Sequence, residues 1–167
     1  MHSSVQRLNT LITLAAVLLG ALCCTASFLD YFHIHSVHGT AEVIKIKKFR
    51  KQLNGNDEVT MTLNLSLDLR STFTWNTKQA FVFLAAEYET QKNLVNQISL
   101  WDHIIPDKEH AKIQTQVSTK YPLTDQGSNL RGKKIELVLH WHLMPNTGRM
   151  IQDKLALSHF YLPEAYT

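Results

Sequence analysis

A long uncharged segment near the amino terminus constrains this sequence more than any other feature. The run from Leu11 to Leu29, LITLAAVLLGALCCTASFL, contains no Asp, Glu, Lys, Arg or His. An α-helix rises about 1.5 Å per residue, so this run reaches roughly 28 Å and matches the hydrocarbon core of a bilayer. Polar residues do not return every three or four positions, as they would on a helix packed against a soluble domain. The sequence therefore predicts a transmembrane helix at 11–29, after a short tail at 1–10.

The same segment also shares features with a cleaved signal peptide. A short basic head ending at Arg7 precedes the apolar run, and Cys24-Thr25-Ala26 has the small residues of a cleavage site. The run is longer than the apolar region of most signal peptides and continues past that site. We therefore expect an uncleaved anchor. The alternative is a secreted or lumenal β-sandwich binding module that is released by cleavage after Ala26.

The charges that flank the anchor do not determine its orientation. Arg7 lies on the short side, whereas the basic residues from Lys45 to Lys51 lie at the edge of the window in which positive charge acts on topology. The sequon Asn64-Leu65-Ser66 is modified only on a segment that enters the secretory lumen. With the short basic amino terminus, it favours a cytosolic tail and a lumenal body, and it makes Asn64 a candidate N-glycosylation site.

The residues that follow the anchor predict a connector at 30–40. This segment contains His33, His35 and His38, but no carboxylate or cysteine is spaced beside them as in a metal site. The only cysteines, Cys23 and Cys24, lie in the apolar run. The body therefore has no disulfide and no cysteine-ligated metal site.

Alternation of apolar and polar residues with a period of two predicts strands throughout the body. The stretch from Ala80 to Ala86 is apolar at every position, which predicts a strand covered on both faces, and 125–134 predicts an exposed turn. With hairpin-length connections, six or seven strands predict an all-β fold, an antiparallel β-sandwich-like domain at 41–167. The strand patterns lie at 41–51, 59–69, 80–86, 94–105, 111–121 and 135–143.

Charge is concentrated near the anchor rather than spread over the body. Of the 17 Lys and Arg residues, five lie between Lys45 and Lys51, and no basic excess follows Gln52. A nucleic-acid partner is therefore not expected. We expect these basic side chains on a solvated strand face, with contact to lipid headgroups as the alternative.

Motifs for covalent or metal-dependent catalysis are missing from the sequence. It contains no Gly-x-Ser-x-Gly, Ser-x-x-Lys or His-Glu-x-x-His. His140 and His142 share one face of a predicted strand, as a metal site or an unconventional hydrolase site would require. Since no third ligand is identifiable, we expect a polar strand face, no metal, no cofactor and no catalytic residue. The three tryptophans, Trp75, Trp101 and Trp141, are expected in the core.

Three blocks of the sequence resemble one known family. They are FTWNTKQAFVFLAAEYET at 73–90, NQISLWD at 96–102 and GSNLRGKKIELVLHWHLMPNTG at 127–148. Together with the amino-terminal anchor, they resemble the third subunit of the eukaryotic signal peptidase complex over nearly the whole chain. The resemblance implies a single-pass endoplasmic reticulum protein with a cytosolic amino terminus.

The resemblance also implies a function. Its lumenal β-rich domain would brace the catalytic subunit of the complex that removes signal peptides from nascent secretory proteins, while the serine protease chemistry belongs to another chain. Its expected partners are that subunit, the other subunits and the lipid of the membrane. The residues that carry the family motifs are Trp75, Asn76, Lys78, Gln79, Phe81, Glu87, Tyr88, Asn96, Gln97, Trp101, Asp102, Trp141 and Pro145.

Overall fold

The protein consists of one amino-terminal helix and eight described strands. A computed structural model describes residues 3–91, 93–127 and 130–167. Helix α1 spans Ser4–Tyr31. The strands are β1 (His38–Lys51), β2 (Asp57–Asp68), β3 (Thr77–Tyr88), β4 (Asn96–Ile105), β5 (Lys112–Ser118), β6 (Leu123–Thr124), β7 (Lys134–Pro145) and β8 (Ile151–Tyr161).

The strands form two antiparallel sheets, which confirms the predicted fold class. In the first sheet β2 lies between β1 and β5, and the short β6 also pairs with β2. In the second sheet the order is β4-β3-β7-β8. Hairpin connections link β1 to β2 and β3 to β4, as the turn signals predict.

The period-two patterns place one face of each sheet in a shared core. On β2 the side chains from Val59 to Leu67 alternate between buried and partly exposed, and on β7 Ile135, Leu137 and Leu139 are fully buried. Each fully buried leucine or isoleucine contributes about 1.5 to 3 kcal/mol through removal of apolar surface from water. The two strands with the clearest alternation therefore form the centre of the sandwich.

Helix α1 extends away from the sandwich with most of its apolar side chains exposed. Its 28 residues are long and apolar enough to cross a membrane. The Ser3 side chain caps its first turn by accepting from the Gln6 N–H at 3.3 Å. Thr13, Thr25 and Ser27 donate their hydroxyl protons to carbonyls four residues earlier at 2.8–2.9 Å. These hydroxyls are therefore satisfied within the helix, as a hydrocarbon environment requires.

The helix is longer than the predicted span at both ends. It includes most of the predicted tail and continues through Tyr31, while β1 begins at His38. The irregular connection is therefore 32–37, shorter than the predicted connector at 30–40. The basic side chains of 45–51 lie on the exposed face of β1. They are therefore accessible, and the solvated strand face stays a prediction.

Four details of the body differ from the sequence-based expectations. Phe81 and Phe83 on β3 are only partly buried, so this strand is not covered on both faces. Asp125 and Leu130 are buried, so 125–134 is not simply an exposed turn, and residues 128–129 of it lie outside the described part. Trp75 is 69% exposed rather than in the core, whereas Trp101 and Trp141 are buried. Strand β8 has no counterpart among the predicted strands.

The carboxy-terminal residues form hydrogen bonds with the end of the sandwich that lies far from α1. The Thr167 N–H donates to the Phe49 carbonyl at 2.9 Å, and the Tyr166 hydroxyl donates to Asp57 Oδ1 at 2.9 Å. Asp57 is fully buried and also accepts from the Leu130 N–H at 3.1 Å. Both oxygens of its carboxyl group are therefore hydrogen-bonded, as burial of a polar group requires.

Candidate functional site

The point where α1 meets the sandwich is built around the carboxylate of Asp30, which is 8% exposed. An acidic side chain in the last turn of a helix is unfavourable, because the helix dipole places partial negative charge there. Thr74 Oγ1 donates to Asp30 Oδ1 at 2.9 Å, and Asn76 Nδ2 donates to Asp30 Oδ2 at 3.2 Å. Hydrogen bonds to charged groups contribute about 1.5 to 3 kcal/mol each, which offsets the cost.

Asn76 connects this helix end to a second loop. Its Nδ2 also donates to the Thr147 carbonyl at 3.0 Å, and its Oδ1 accepts from the Thr147 N–H at 3.1 Å. Its carbonyl accepts from the Asn146 N–H at 2.7 Å. The loop between β2 and β3 and the loop between β7 and β8 thus meet at the end of α1. We call Asp30, Thr74, Asn76 and Thr147 the anchor junction.

Close packing supports the anchor junction. The helix residues with reduced exposure are Cys23, Ala26, Ser27 and Asp30, whose spacing places them on one face. Gly148 has a φ of 98°, and a Cβ at this position would lie 2.8 Å from Ser27 Oγ. Glycine therefore permits both the backbone conformation and the close approach of the loop.

The connector at 32–37 is also held against the sandwich. His33 Nε2 lies 2.9 Å from the Ser71 carbonyl, and the Ser71 hydroxyl donates to the Ser36 carbonyl. Val37 is buried at the edge of the core. The helix and the sandwich are therefore joined by a short connector with its own contacts, in addition to the anchor junction.

The outer face of the second sheet carries a partly exposed aromatic cluster at its centre. Cross-strand pairing places Phe81 opposite His142 and Ile104, and Phe83 opposite His140. The Phe83 and His140 rings stack at 4.7 Å between centroids, and His142 contacts both phenylalanines edge-on at 5.8–6.2 Å. We call Phe81, Phe83, Ile104, His140 and His142 the outer aromatic surface.

His140 is held by polar neighbours at the rim of this surface. Its Nε2 lies 2.9 Å from Gln97 Nε2 and 3.3 Å from Glu87 Oε1, and Lys154 Nζ lies 3.4 Å from the same Glu87 oxygen. Burial lowers the pKa of His140 below its usual range, in spite of the nearby carboxylate. The imidazole is therefore neutral at neutral pH and can accept a hydrogen bond from Gln97.

His140 and His142 share a face as predicted, but they do not form part of a metal cluster. Within the described ranges 3–91, 93–127 and 130–167, no three His, Cys, Asp or Glu side chains could hold a metal ion together. The polar atoms next to His140 Nε2 are an amide nitrogen and a carboxylate oxygen, not a serine or cysteine nucleophile. These contacts do not provide the base-to-nucleophile pair that hydrolysis requires.

Asn64 lies on the opposite outer face of the sandwich. It is exposed on β2 between Glu42 of β1 and Gln116 of β5. Ser66 and Gln114 continue the same polar row. We call Glu42, Asn64, Ser66, Gln114 and Gln116 the outer polar surface; glycosylation of Asn64 stays a prediction.

The residues that carry the family motifs divide among several regions. The helix end is adjacent to Trp75 and Asn76, and the interior contains Tyr88, Trp101 and Trp141. Lys78, Asn96 and Pro145 lie at or next to strand ends. The outer face of the second sheet holds Gln79, Phe81, Glu87, Gln97 and Asp102.

Comparison with known proteins identifies the family. The family model described as signal peptidase subunit matches residues 1–165. The chain belongs to the signal peptidase subunit family. It is 57% identical over 167 residues to signal peptidase complex subunit 3 of Oryza sativa subsp. japonica, which covers all of this chain and 99% of that relative.

More distant signal peptidase subunits also match along most of their length. Subunit 3 of the signal peptidase complex of Dictyostelium discoideum is 32% identical over 167 residues, covering 99% of this chain and 97% of that relative. The Homo sapiens protein of the same name is 31% identical over 155 residues, covering 89% of this chain and 86% of that relative. The similarity thus includes both the apolar helix and the sandwich.

Sequence reasoning missed three members of the anchor junction: Asp30, Thr74 and Thr147. The sequence did contain a clue to Asp30, because a carboxylate at the end of an apolar helix needs a partner. The identities of Thr74 and Thr147 depend on contacts between segments far apart in the chain. No local pattern marks these contacts.

Proposed function

We propose that the chain is a non-catalytic, membrane-anchored subunit of the signal peptidase complex. It supports and positions the catalytic subunit for removal of signal peptides from nascent secretory proteins at the endoplasmic reticulum. Its amino terminus is cytosolic and its sandwich is lumenal. Family membership, the names of the relatives and the missing nucleophile motifs support this proposal.

The anchor junction is the observation that carries the positioning role. A domain on a flexible tether samples many heights above the membrane, whereas hydrogen bonds between the helix end and two loops restrict both height and orientation. Asp30 and Asn76 supply those bonds, and the connector at 32–37 is too short to allow wide movement. The sandwich can therefore hold a bound partner at a set distance from the bilayer.

The outer aromatic surface is our candidate for contact with the catalytic subunit. Aromatic side chains at the centre of an exposed patch are typical of protein interfaces. Ile104 is 55% exposed beside Phe81, and the neutral His140 adds no charge to be desolvated. The outer polar surface is a poorer candidate, since it lacks aromatic residues and carries the sequon.

Loosening the attachment of the sandwich to the helix tests the positioning role. About ten flexible residues inserted between Ile34 and His35 lengthen the connector, and Asp30→Ala removes the carboxylate of the anchor junction. Each change alone leaves the other attachment in place, so we expect modest effects. Combined, they should slow cleavage of a secretory precursor several-fold in microsomes that contain the variant as their only copy.

The matched control inserts the same residues between Asn54 and Gly55, in the turn at the far end of the sandwich, together with Asp30→Ala. This variant keeps the short connector and should process the precursor as Asp30→Ala alone does. Normal cleavage by the combined variant, with the chain still assembled in the complex, would contradict the positioning role.

A further inference from the structure

Exposed apolar side chains lie near the point where α1 leaves the sandwich. Three separate segments supply them: the helix end and connector, the loop between β2 and β3, and the loop between β7 and β8. Their exposed fractions range from 45% to 84%. We call this set the apolar collar; its members are Tyr31, Phe32, Ile34, Trp75 and Met150.

The anchor junction places the collar at a defined height. Trp75 lies between Thr74 and Asn76, the two residues that donate to the Asp30 carboxylate. Met150 follows Gly148, which approaches Ser27 of the helix. The collar residues therefore lie near the last turn of α1, although they come from distant parts of the chain.

The length of the uncharged run relates this height to the membrane. Residues 11–29 span roughly 28 Å, about the hydrocarbon thickness, so the hydrocarbon ends near Leu29. The Asp30 carboxylate and its polar partners then lie just outside it, where water and headgroups are present. Tryptophan and tyrosine are enriched at this level, because their rings combine apolar area with a hydrogen-bonding group.

We propose that the apolar collar is a lipid-binding surface that inserts into the interfacial layer of the leaflet next to the sandwich. Trp75 is its principal residue. Its loop is fixed to α1, so insertion of the indole sets how closely the sandwich approaches the bilayer. Exposed Arg149 and Lys78 lie beside collar loops and can meet lipid phosphates. The proposal depends on a membrane-spanning α1 and not on the identity of any partner subunit.

Quenching of tryptophan fluorescence by brominated lipid tests the proposal. The full chain is placed in phosphatidylcholine nanodiscs, with or without phosphatidylcholine brominated near the headgroup end of its acyl chains. Bromine quenches indoles at short range, and Trp101 and Trp141 are 8% and 4% exposed within the sandwich. We expect clear quenching of the native chain and several-fold less in Trp75→Phe.

The matched control is Trp101→Phe, which removes a buried indole and should leave the quenched component in place. Equal quenching of the native chain and Trp75→Phe would overturn the proposal.

A second arm uses the intact complex purified into the same nanodiscs. Persistence of Trp75 quenching there supports lipid contact, whereas its loss would show that a partner protein covers the collar and would also overturn the proposal.

Discussion

The two outer faces of the sandwich differ far more than the two inner faces. Both inner faces are lined by buried leucine, isoleucine and valine, as a shared core requires. The outer polar surface of the first sheet presents Glu42, Asn64 and Gln116, whereas the outer aromatic surface of the second sheet presents Phe81 and Phe83. Folding explains the inner faces, but it does not require aromatic side chains on a solvent-facing sheet.

The difference indicates which face is available to solvent and which suits a protein partner. Polar residues on an outer sheet face need no cover. A cluster of half-buried aromatic rings keeps apolar area exposed to water until something packs on it, and this exposure is unfavourable. This contrast supports our proposal that the second sheet faces the catalytic subunit, with the first sheet left for solvent or a glycan.

The largest effect is expected from charging the outer aromatic surface. Phe81→Glu with Phe83→Glu should weaken association with the catalytic subunit by about 30-fold or more, since loss of interface anchors costs about 2 kcal/mol or above. Co-purification of the catalytic subunit from microsomes measures the loss. Phe83→Leu keeps apolar area and should retain association.

The matched control places the same charges on the first sheet. Thr60→Glu with Thr62→Glu changes two half-buried positions of β2 and should leave co-purification intact. Thermal unfolding of both double variants monitors the fold. If the two double variants lose the catalytic subunit equally while both stay folded, the distinction between the two faces is wrong.

The glycan prediction tests the other half of the comparison. Asn64 is exposed on the outer polar surface, so its sequon is accessible if the sandwich is lumenal. Treatment with an N-glycosidase should increase the electrophoretic mobility of the native chain to that of Asn64→Gln. If the untreated native chain migrates like Asn64→Gln, Asn64 is not glycosylated, and the sequon no longer supports a lumenal sandwich.

The smallest effect is a pH dependence that arises from the outer aromatic surface. Burial lowers the pKa of His140 in the folded state, so the unfolded chain binds more protons below about pH 6.5. The free energy of unfolding should therefore fall as the pH drops below that value. Denaturant titrations of His140→Gln should show a shallower fall than those of the native chain. Identical slopes for the two proteins would argue against a neutral, partly buried His140.

Much of the fold was predictable because it depends on local periodicity. The anchor, β2 and β7 show sustained patterns, and their inner positions are buried as the patterns require. Strand β8 was missed because it lies at a sheet edge and no position along it is fully buried. Its alternation is interrupted by the irregularity where it pairs with Leu137 and Val138.

The candidate sites were less predictable for two physical reasons. Trp75 and Trp141 are equally apolar, and no sequence pattern separates an exposed tryptophan in a loop from a buried one in a strand. Asp30 and Asn76 are 46 residues apart, so their hydrogen bond depends on the complete fold. The continuous apolar run of β3 predicted coverage on both faces, because the chain alone does not show whether Phe81 and Phe83 face a core or a partner.

The most direct test of the account is recovery of signal peptidase activity with this chain. The tag belongs between Asn54 and Gly55, because the carboxy terminus is engaged by Phe49. The tagged chain is isolated from microsomes in gentle detergent, the eluate is assayed for cleavage of a secretory precursor, and the amino terminus of the chain is read in the same sample. We predict an active eluate that contains the catalytic subunit and a chain with its apolar helix intact. An inactive eluate with a chain that starts near Ser27 would contradict the account and favour a binding module released by cleavage.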